Sequence, residues 1–202
     1  QGGLYPDLRT ECMERLKEIS FPGYALGGLS VGEKNEEMLN FCEQFVPTMP
    51  EDAPRYLMGV GKPLDVLNGI KNGLDMFDCT LPTRNGRNGL AYTSFGPLRL
   101  RNAKFAKDET PLDSLGTSYA SRRYSKAYLR HLFLAREMNA CILTSLHNVC
   151  FYQQLMTDIR GAIRERRFEA FRKEFLERYL RSAHGEDGAF SAAEAEGQAE
   201  GA

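Results

Sequence analysis

The chain has 202 residues, of which 42% are apolar and 26% are charged, and its formal net charge is −1. These values indicate a soluble globular protein with enough chain to bury a hydrophobic core. It has no run of 18 or more apolar residues and no secretory signal pattern, so we expect no membrane association. The five cysteines are odd in number and irregularly spaced, which argues against a disulfide framework and predicts a cytoplasmic location.

Helix and strand patterns alternate over the first eighty or so residues. The spacing of apolar residues predicts helices over residues 8–19, 37–45 and 64–73. We expect their buried faces to carry Leu8, Cys12, Leu16 and Ile19 in the first helix and Met38, Phe41, Cys42 and Phe45 in the second. Short apolar segments that end in glycine or proline predict strands within PGYALGG, RYLMGVGKP and MFDCTL, the last of them buried, followed by a glycine-rich turn. This alternation predicts βαβ units and a parallel sheet.

The second half of the chain has a different pattern. Residues 90–108 alternate apolar and polar side chains, which predicts an antiparallel hairpin, and residues 124–181 read as helices without an interior proline. From Ser182 onward the sequence is rich in Ala, Glu and Gly, so we expect a disordered acidic tail.

Basic residues are concentrated in the middle of the chain. Between Arg84 and His131 there are ten basic residues and three acidic ones, and tyrosine and phenylalanine residues are interleaved with them. Lys and Arg neutralise phosphates and aromatic rings stack on bases, so this segment is typical of a nucleic-acid-binding surface. An ordinary solvated face is the alternative.

Two glycine clusters follow predicted strands, ALGGLSVGE and LMGVGKP. Ligands bind at the carboxyl ends of parallel strands, where glycine lets the backbone approach closely. Neither cluster matches a dinucleotide or Walker pattern, and tight turns are the alternative interpretation.

Asp78 is a carboxylate placed by the pattern inside the apolar strand MFDCTL. Burying a charge there is costly, so the residue either forms an ion pair, with Arg84 or Arg87, or belongs to a functional site. An aspartate at the carboxyl end of a barrel strand can attack an anomeric carbon and form a covalent glycosyl intermediate.

The segments LGGLSVGE, YLMGVGKPLDVLNGIKNGLDMFDCTLPTRNGRNG and HNVCFYQQL resemble the tRNA-guanine transglycosylases, the queuine tRNA-ribosyltransferase family, in its bacterial form. The resemblance runs from Gln1 to about Tyr179 and implies an α/β fold, the C-terminal half of a (β/α)₈ TIM barrel with an appended lobe. It assigns residues 1–90 to the second half of the barrel with its nucleophile, residues 91–181 to a basic RNA-binding lobe of the zinc-binding type with C-terminal helices, and residues 182–202 to the tail.

The resemblance also implies an activity. The family exchanges guanine at the anticodon wobble position of tRNAs with a GUN anticodon for a 7-deazaguanine base in queuosine biosynthesis. Asp78 matches its nucleophile, which attacks the ribose C1′ to form a covalent intermediate. Base contacts are implied for Gln1, Gly27, Gly28, Leu29, Val31, Met58 and Gly59, and RNA contacts for Lys62, Asp65, Thr83, Arg84, Asn85, Gly86 and Arg87. Val31 matches the bacterial form and favours 7-aminomethyl-7-deazaguanine over queuine.

The family's zinc site is degenerate in this sequence. Gly116, Ser118 and Ser121 occupy the positions of the three cysteine ligands, and only His147 remains of the four. Glycine offers no side-chain ligand and serine is a poor one, so we expect no zinc and no other cofactor.

The resemblance covers only the second half of a family member, and the family's second catalytic aspartate lies in the other half. We therefore expect an N-terminal half-barrel, from the same gene or from a separate chain, and a dimer. The alternative from another class is a non-catalytic RNA-binding or scaffold subunit of a heteromeric transglycosylase, and a relative that acts on DNA is a third possibility. The retained Asp78 favours catalysis.

Overall fold

The computed structural model describes residues 1–184, which form α-helices and short β-strands. The chain divides into two compact units, Gln1–Thr80 and a second that begins at Leu81. The functional division predicted at residue 90 stays a prediction, and the predicted tail lies outside the described residues beyond His184.

The first unit is built around a parallel three-stranded sheet in the order β1-β2-β3. Its strands are β1 (Tyr24–Leu26), β2 (Arg55–Leu57) and β3 (Met76–Phe77), and its helices are α1 (Pro6–Ile19), α2 (Asn35–Phe45) and α3 (Pro63–Lys71), with a 3₁₀ turn at Val46–Thr48. In register, Leu26 lies beside Leu57, and Leu57 lies beside Phe77. The predicted alternation of helices and parallel strands is confirmed.

Helix α2 supplies much of the core of this unit. All four residues of its predicted apolar face are buried, and the rings of Phe41 and Phe45 stack with centroids 5.3 Å apart. They pack in one cluster with Leu26 and Leu57 of the sheet. The 3.6-residue periodicity therefore identified this helix and its orientation correctly.

Helix α1 forms where it was predicted, but its buried face is different. Leu8 and Ile19 are exposed, whereas Arg9 and Met13 are buried. The predicted face is wrong at both exposed positions because the Arg9 guanidinium bonds main-chain carbonyls inside the unit and turns its own side of the helix inward.

Strand β3 is shorter and more open than predicted. It ends at Phe77, and the side chain of Met76 is 52% exposed. Within the described residues β3 pairs with β2 alone, so its other edge has no neighbouring strand. The prediction of a buried strand over MFDCTL is wrong for this reason.

The second unit combines a hairpin with helices. Strands β4 (Leu90–Thr93) and β5 (Gly96–Arg99) are antiparallel, as predicted. The helices are α4 (Leu81–Arg87), α5 (Tyr119–Arg123), α6 (Lys126–Leu134), α7 (Met138–Arg164) and α8 (Phe168–His184), with a 3₁₀ turn at Ala103–Lys107. Helix α4 takes the place of the glycine-rich turn predicted after MFDCTL, because Gly86 lets it pack closely on α7. None of the helices in residues 1–184 is long and apolar enough to cross a membrane.

Candidate active site

Asp78 directly follows β3, at the carboxyl end of the parallel sheet, and its side chain is exposed. Its Oδ1 accepts a hydrogen bond of 2.6 Å from the Tyr56 hydroxyl and one of 2.9 Å from the Gly59 main-chain N–H. The expectation that Asp78 lies inside a buried strand is wrong, since the strand ends one residue earlier. A carboxylate at this edge lies where parallel α/β proteins bind their ligands.

The two hydrogen bonds set the ionisation of Asp78. The hydrogen bond from Tyr56 and, to a smaller extent, the one from Gly59 lower the pKa of Asp78, because both donors stabilise the ionised form. The same contact raises the pKa of Tyr56, so the hydroxyl keeps its proton and stays a donor. Asp78 is therefore an exposed, oriented carboxylate that is ionised at neutral pH, which is what a carboxylate nucleophile requires.

The turn after β1 lies beside the residues that follow β2. Gly28 has a positive φ of 65°, which glycine adopts without strain, and Gly59 has a φ of 75°. The Met58 sulfur would lie 3.2 Å from a Cβ added at Gly27, so the two loops meet through Met58 and Gly27. Met58 is partly exposed and could present its side chain to a flat ligand.

Three other predicted base-binding residues have different environments. The Leu29 side chain is buried in the core of the unit, whereas Val31 is 79% exposed. Gln1 lies beside Cys12 of α1, with its main-chain nitrogen 3.2 Å from the sulfur. The predicted roles of all three stay predictions.

Lys62 and Asp65 lie at the start of α3. Lys62 occupies the N-cap position, and Asp65 is buried with its Oδ1 accepting a hydrogen bond of 3.1 Å from Asn35 at the start of α2. Burial raises the pKa of Asp65. The Asn35–Asp65 bond therefore connects the first turns of two helices that follow the glycine-containing loops.

The remaining predicted RNA contacts lie on α4 of the second unit. Thr83, Arg84 and Arg87 are exposed, and the two arginines are three residues apart on the helix. Asn85 donates a hydrogen bond of 2.7 Å to the Tyr92 hydroxyl, and Gly86 is buried against Ser145 of α7. The exposed arginines can contact phosphates, while Asn85 and Gly86 fix the helix that carries them.

The four residues that the resemblance assigns to a lost zinc site lie together in the second unit. His147 is 1% exposed, and its Nδ1 lies 2.8 Å from the Ser118 hydroxyl and 3.1 Å from the Ser121 hydroxyl. Its Nε2 lies 2.7 Å from the Tyr92 carbonyl, so Nε2 carries the proton and Nδ1 accepts from a serine. A Cβ added at Gly116 would lie 2.8 Å from the Ser121 Oγ.

This cluster does not fit a structural zinc ion. Burial lowers the pKa of His147, so the imidazole is neutral, but it is the only strong zinc ligand of the four residues. Residues 1–184 hold no group of three or more His, Cys, Asp or Glu side chains arranged to bind a metal.

Sequence reasoning missed Arg9, Tyr56, Glu33 and Asn35, which hold or orient the predicted site residues. Both Glu33 carboxylate oxygens accept main-chain hydrogen bonds, Oε1 from Ser30 and Oε2 from Val31, the latter at 3.0 Å. Their only sequence signal was their position, since each of the four residues lies in or next to a segment where a predicted strand ends or a predicted helix begins.

Comparison with known proteins shows the family of the chain. The family model described as queuine tRNA-ribosyltransferase matches residues 1–181. The chain belongs to the queuine tRNA-ribosyltransferase family.

Relatives named queuine tRNA-ribosyltransferase match most of the chain. The protein of Caulobacter vibrioides is 54% identical over 180 residues, which cover 89% of this chain and 48% of the relative. The proteins of Halothermothrix orenii and Vibrio atlanticus are each 51% identical, over 91% and 88% of this chain and 49% and 47% of their own lengths. The chain thus spans about half the length of the relatives it matches.

Proposed function

We propose that this chain carries the nucleophile of a tRNA-guanine transglycosylase, an enzyme that exchanges guanine at the wobble position of tRNA for a 7-deazaguanine base. The observation that carries the proposal is Asp78, an exposed carboxylate that two hydrogen bonds orient and keep ionised at the carboxyl end of the sheet. Family membership and the names of the relatives support it.

The reaction proceeds in two displacements at the ribose C1′. An Asp78 oxygen attacks C1′, and the glycosidic bond to guanine breaks with its electron pair leaving on the base, which takes up a proton. The incoming base then attacks C1′, loses a proton, and releases the Asp78 carboxylate. The covalent intermediate divides one difficult displacement into two easier ones.

The loops around Asp78 would bind the base. Main-chain groups of Gly27, Gly28 and Leu29, together with Gln1, would hydrogen-bond its edge, and Met58 would pack on its face. The exposed Val31 side chain would lie near the substituent of the base and favour the small aminomethyl form.

The basic residues would hold the tRNA. Lys62 at the start of α3 and the exposed Arg84 and Arg87 of α4 would bind the nucleotides around the wobble position. This proposal accounts for the local excess of basic residues in a chain whose net charge is −1.

The chain spans about half the length of its relatives, which supports a further part of the enzyme outside it. The described sheet would form part of a (β/α)₈ barrel whose N-terminal half comes from the same gene or a second chain, in a dimer. The five cysteines, all within residues 1–184, form no disulfide, which agrees with action in the reducing cytoplasm.

Trapping the covalent intermediate tests the function. With the N-terminal half present, the parent protein should form a denaturant-resistant adduct with a GUN-anticodon tRNA, and Asp78→Asn should form at least about a hundredfold less. Asp75→Asn is the matched control, because Asp75 lies three residues earlier, directly before the same strand, and its Oδ2 accepts a hydrogen bond from the main-chain N–H of Arg55. An Asp78→Asn variant that traps as well as the parent would contradict the proposal.

We also propose that the second unit needs no zinc. The hydrogen bonds of His147 with Ser118 and Ser121 connect α7 to α5 and the residue before it, so they join the segments that a metal would join. This proposal rests on those contacts and on the chemistry of serine and glycine.

Metal analysis checks the zinc proposal. The purified protein should contain far less than one zinc per chain, and a chelator should leave its melting temperature unchanged, since no metal contributes to folding. Ser118→Ala should lower the stability by about 1–3 kcal/mol, because it removes the nearer hydrogen-bond donor to a buried imidazole. One tightly bound zinc per chain would refute the proposal.

A further inference from the structure

A buried guanidinium joins the two loops that are expected to hold the base. Arg9 on α1 is only 3% exposed, and its Nε donates a hydrogen bond of 2.8 Å to the Gly3 carbonyl. Its Nη2 donates another of 2.8 Å to the Gly27 carbonyl. Gly3 follows Gln1 by two residues, and Gly27 begins the turn after β1. One side chain therefore connects the Gln1–Gly3 segment to the Gly27–Leu29 turn.

The surroundings of Arg9 hold the guanidinium in place. Its Cζ lies 5.5 Å from the centroid of the Phe41 ring, and Nη2 would be 4.0 Å from a Cβ added at Gly28. Glu33, which bonds the main chain after the same turn, adds an opposite charge. The planar guanidinium directs its N–H groups along fixed lines, so two carbonyls bonded by it have little freedom to move relative to each other.

We propose that Arg9 is a positioning residue of the base pocket, which holds the Gln1–Gly3 segment and the Gly27–Leu29 turn in the geometry that binds the base. The inference rests on the proposed function, since that function makes these segments a pocket. Arg9 itself bonds carbonyls and contributes no group to the reaction. Displacement of either loop by about 1 Å would misalign the groups that contact the base, and such errors are costly in a preorganised site.

The chain contains a second buried arginine that serves as a control. Arg55, the first residue of β2, donates hydrogen bonds to the carbonyls of Met49, Pro50 and Gly73. These contacts lie at the amino end of the sheet, opposite the edge that carries Asp78. The two arginines share burial and bonding chemistry but differ in the loops that they hold.

Steady-state kinetics of Arg9→Lys and Arg9→Met, with the N-terminal half present, tests the proposal. Lysine keeps the charge but lacks the planar fork of N–H groups, and methionine has neither. Both variants should therefore raise KM for the base by about tenfold or more, and Arg9→Met should raise it more than Arg9→Lys. The KM for tRNA should change by less than about twofold. Arg55→Lys should lower the melting temperature and leave KM for the base unchanged. Arg15→Met, at an exposed position of α1, the helix that carries Arg9, should change neither the melting temperature nor KM for the base.

Hydrogen exchange gives a readout that does not depend on turnover. In Arg9→Lys the amides of residues 2–5 and 27–31 should exchange faster than in the parent, whereas in Arg55→Lys the faster region should be 49–55 and 73–75. Unchanged KM for the base and unchanged exchange of both loops in Arg9→Lys would overturn the inference. A parent that forms no tRNA adduct would overturn the proposed function instead, and the exchange experiment would still show whether Arg9 holds both loops.

Discussion

Tyr56 donates one of the two hydrogen bonds that orient Asp78, the carboxylate that we assign as the nucleophile. The Tyr56 hydroxyl and the Gly59 N–H both bond Oδ1 of Asp78, so they fix that oxygen and orient the carboxylate. Tyr56 lies on β2 and Asp78 directly follows β3, and the parallel pairing of these strands brings the two side chains together. The site therefore depends on strand register as well as on the identity of Asp78.

Replacing Tyr56 by phenylalanine should raise the pKa of Asp78 toward the ordinary aspartate value of 3.8, because the larger of the two stabilising hydrogen bonds is lost. The reactive form is the carboxylate, so the fraction available for attack falls as the pH falls through this pKa. In the parent the loss occurs at lower pH than in the variant. Titration of the Asp78 carboxyl by ¹³C NMR measures the shift.

The control for this titration is Tyr5→Phe, which alters an exposed tyrosine before α1 and should leave the titration unchanged. Equal midpoints in the parent and in Tyr56→Phe would show that the hydroxyl does not stabilise the charge.

Some residues of the candidate site could be identified from the sequence and others could not, for physical reasons. Asp78 was singled out because the pattern placed a carboxylate inside an apolar strand, although the structure places it, exposed, just after the strand. Arg9 was missed because its partners are main-chain carbonyls of distant glycines, which leave no trace in side-chain spacing. The same burial of Arg9 made the predicted face of α1 wrong.

Among the elements, the packing of α4 on α7 depends on one glycine. A Cβ added at Gly86 would lie 2.7 Å from the Cα and the main-chain nitrogen of Ser145, and backbone atoms of a long helix do not move easily. The Ser145 hydroxyl also donates to the Thr83 carbonyl at 3.3 Å. This close approach holds the helix that presents Arg84 and Arg87.

Gly86→Ala should therefore destabilise the protein by about 1–3 kcal/mol, because the added methyl group overpacks the contact between the helices. Gly161→Ala, within α7, is the matched control, since a Cβ there meets no atom within 4 Å and should be neutral or stabilise by up to about 1 kcal/mol. Urea unfolding measures both. Equal stability of the two variants would contradict the packing argument.

Periodicity predicted the long elements well and the short ones less well. Helix α2 and the hairpin of β4 and β5 follow their patterns because each has one buried and one exposed side. The pattern failed at MFDCTL, where β3 is two residues long and has a neighbour on one side only within the described chain. Apolar composition alone does not tell whether a second strand covers it.

For the whole molecule, local sequence segments were enough to recognise the family, but they predicted only some of the residues of the candidate site. The family model matches residues 1–181, in agreement with the resemblance. The contacts that orient Asp78 and those that join the positions of the degenerate metal site needed the three-dimensional structure. The near-neutral net charge gave no sign of the proposed nucleic-acid partner, because acidic residues elsewhere offset the basic segment.

The most direct test of the central claim is to find the residue that carries the tRNA in the trapped adduct. After digestion with ribonuclease and protease, mass spectrometry should find a ribose phosphate that has lost its guanine, attached through its C1′ to the side-chain carboxylate of Asp78 as an ester. Further cleavage between Asp75 and Asp78 separates the two carboxylates, and the fragment that contains Asp75 should be unmodified. A ribose phosphate attached to any other residue, or none attached although base exchange proceeds, would contradict the assignment of Asp78 as the nucleophile.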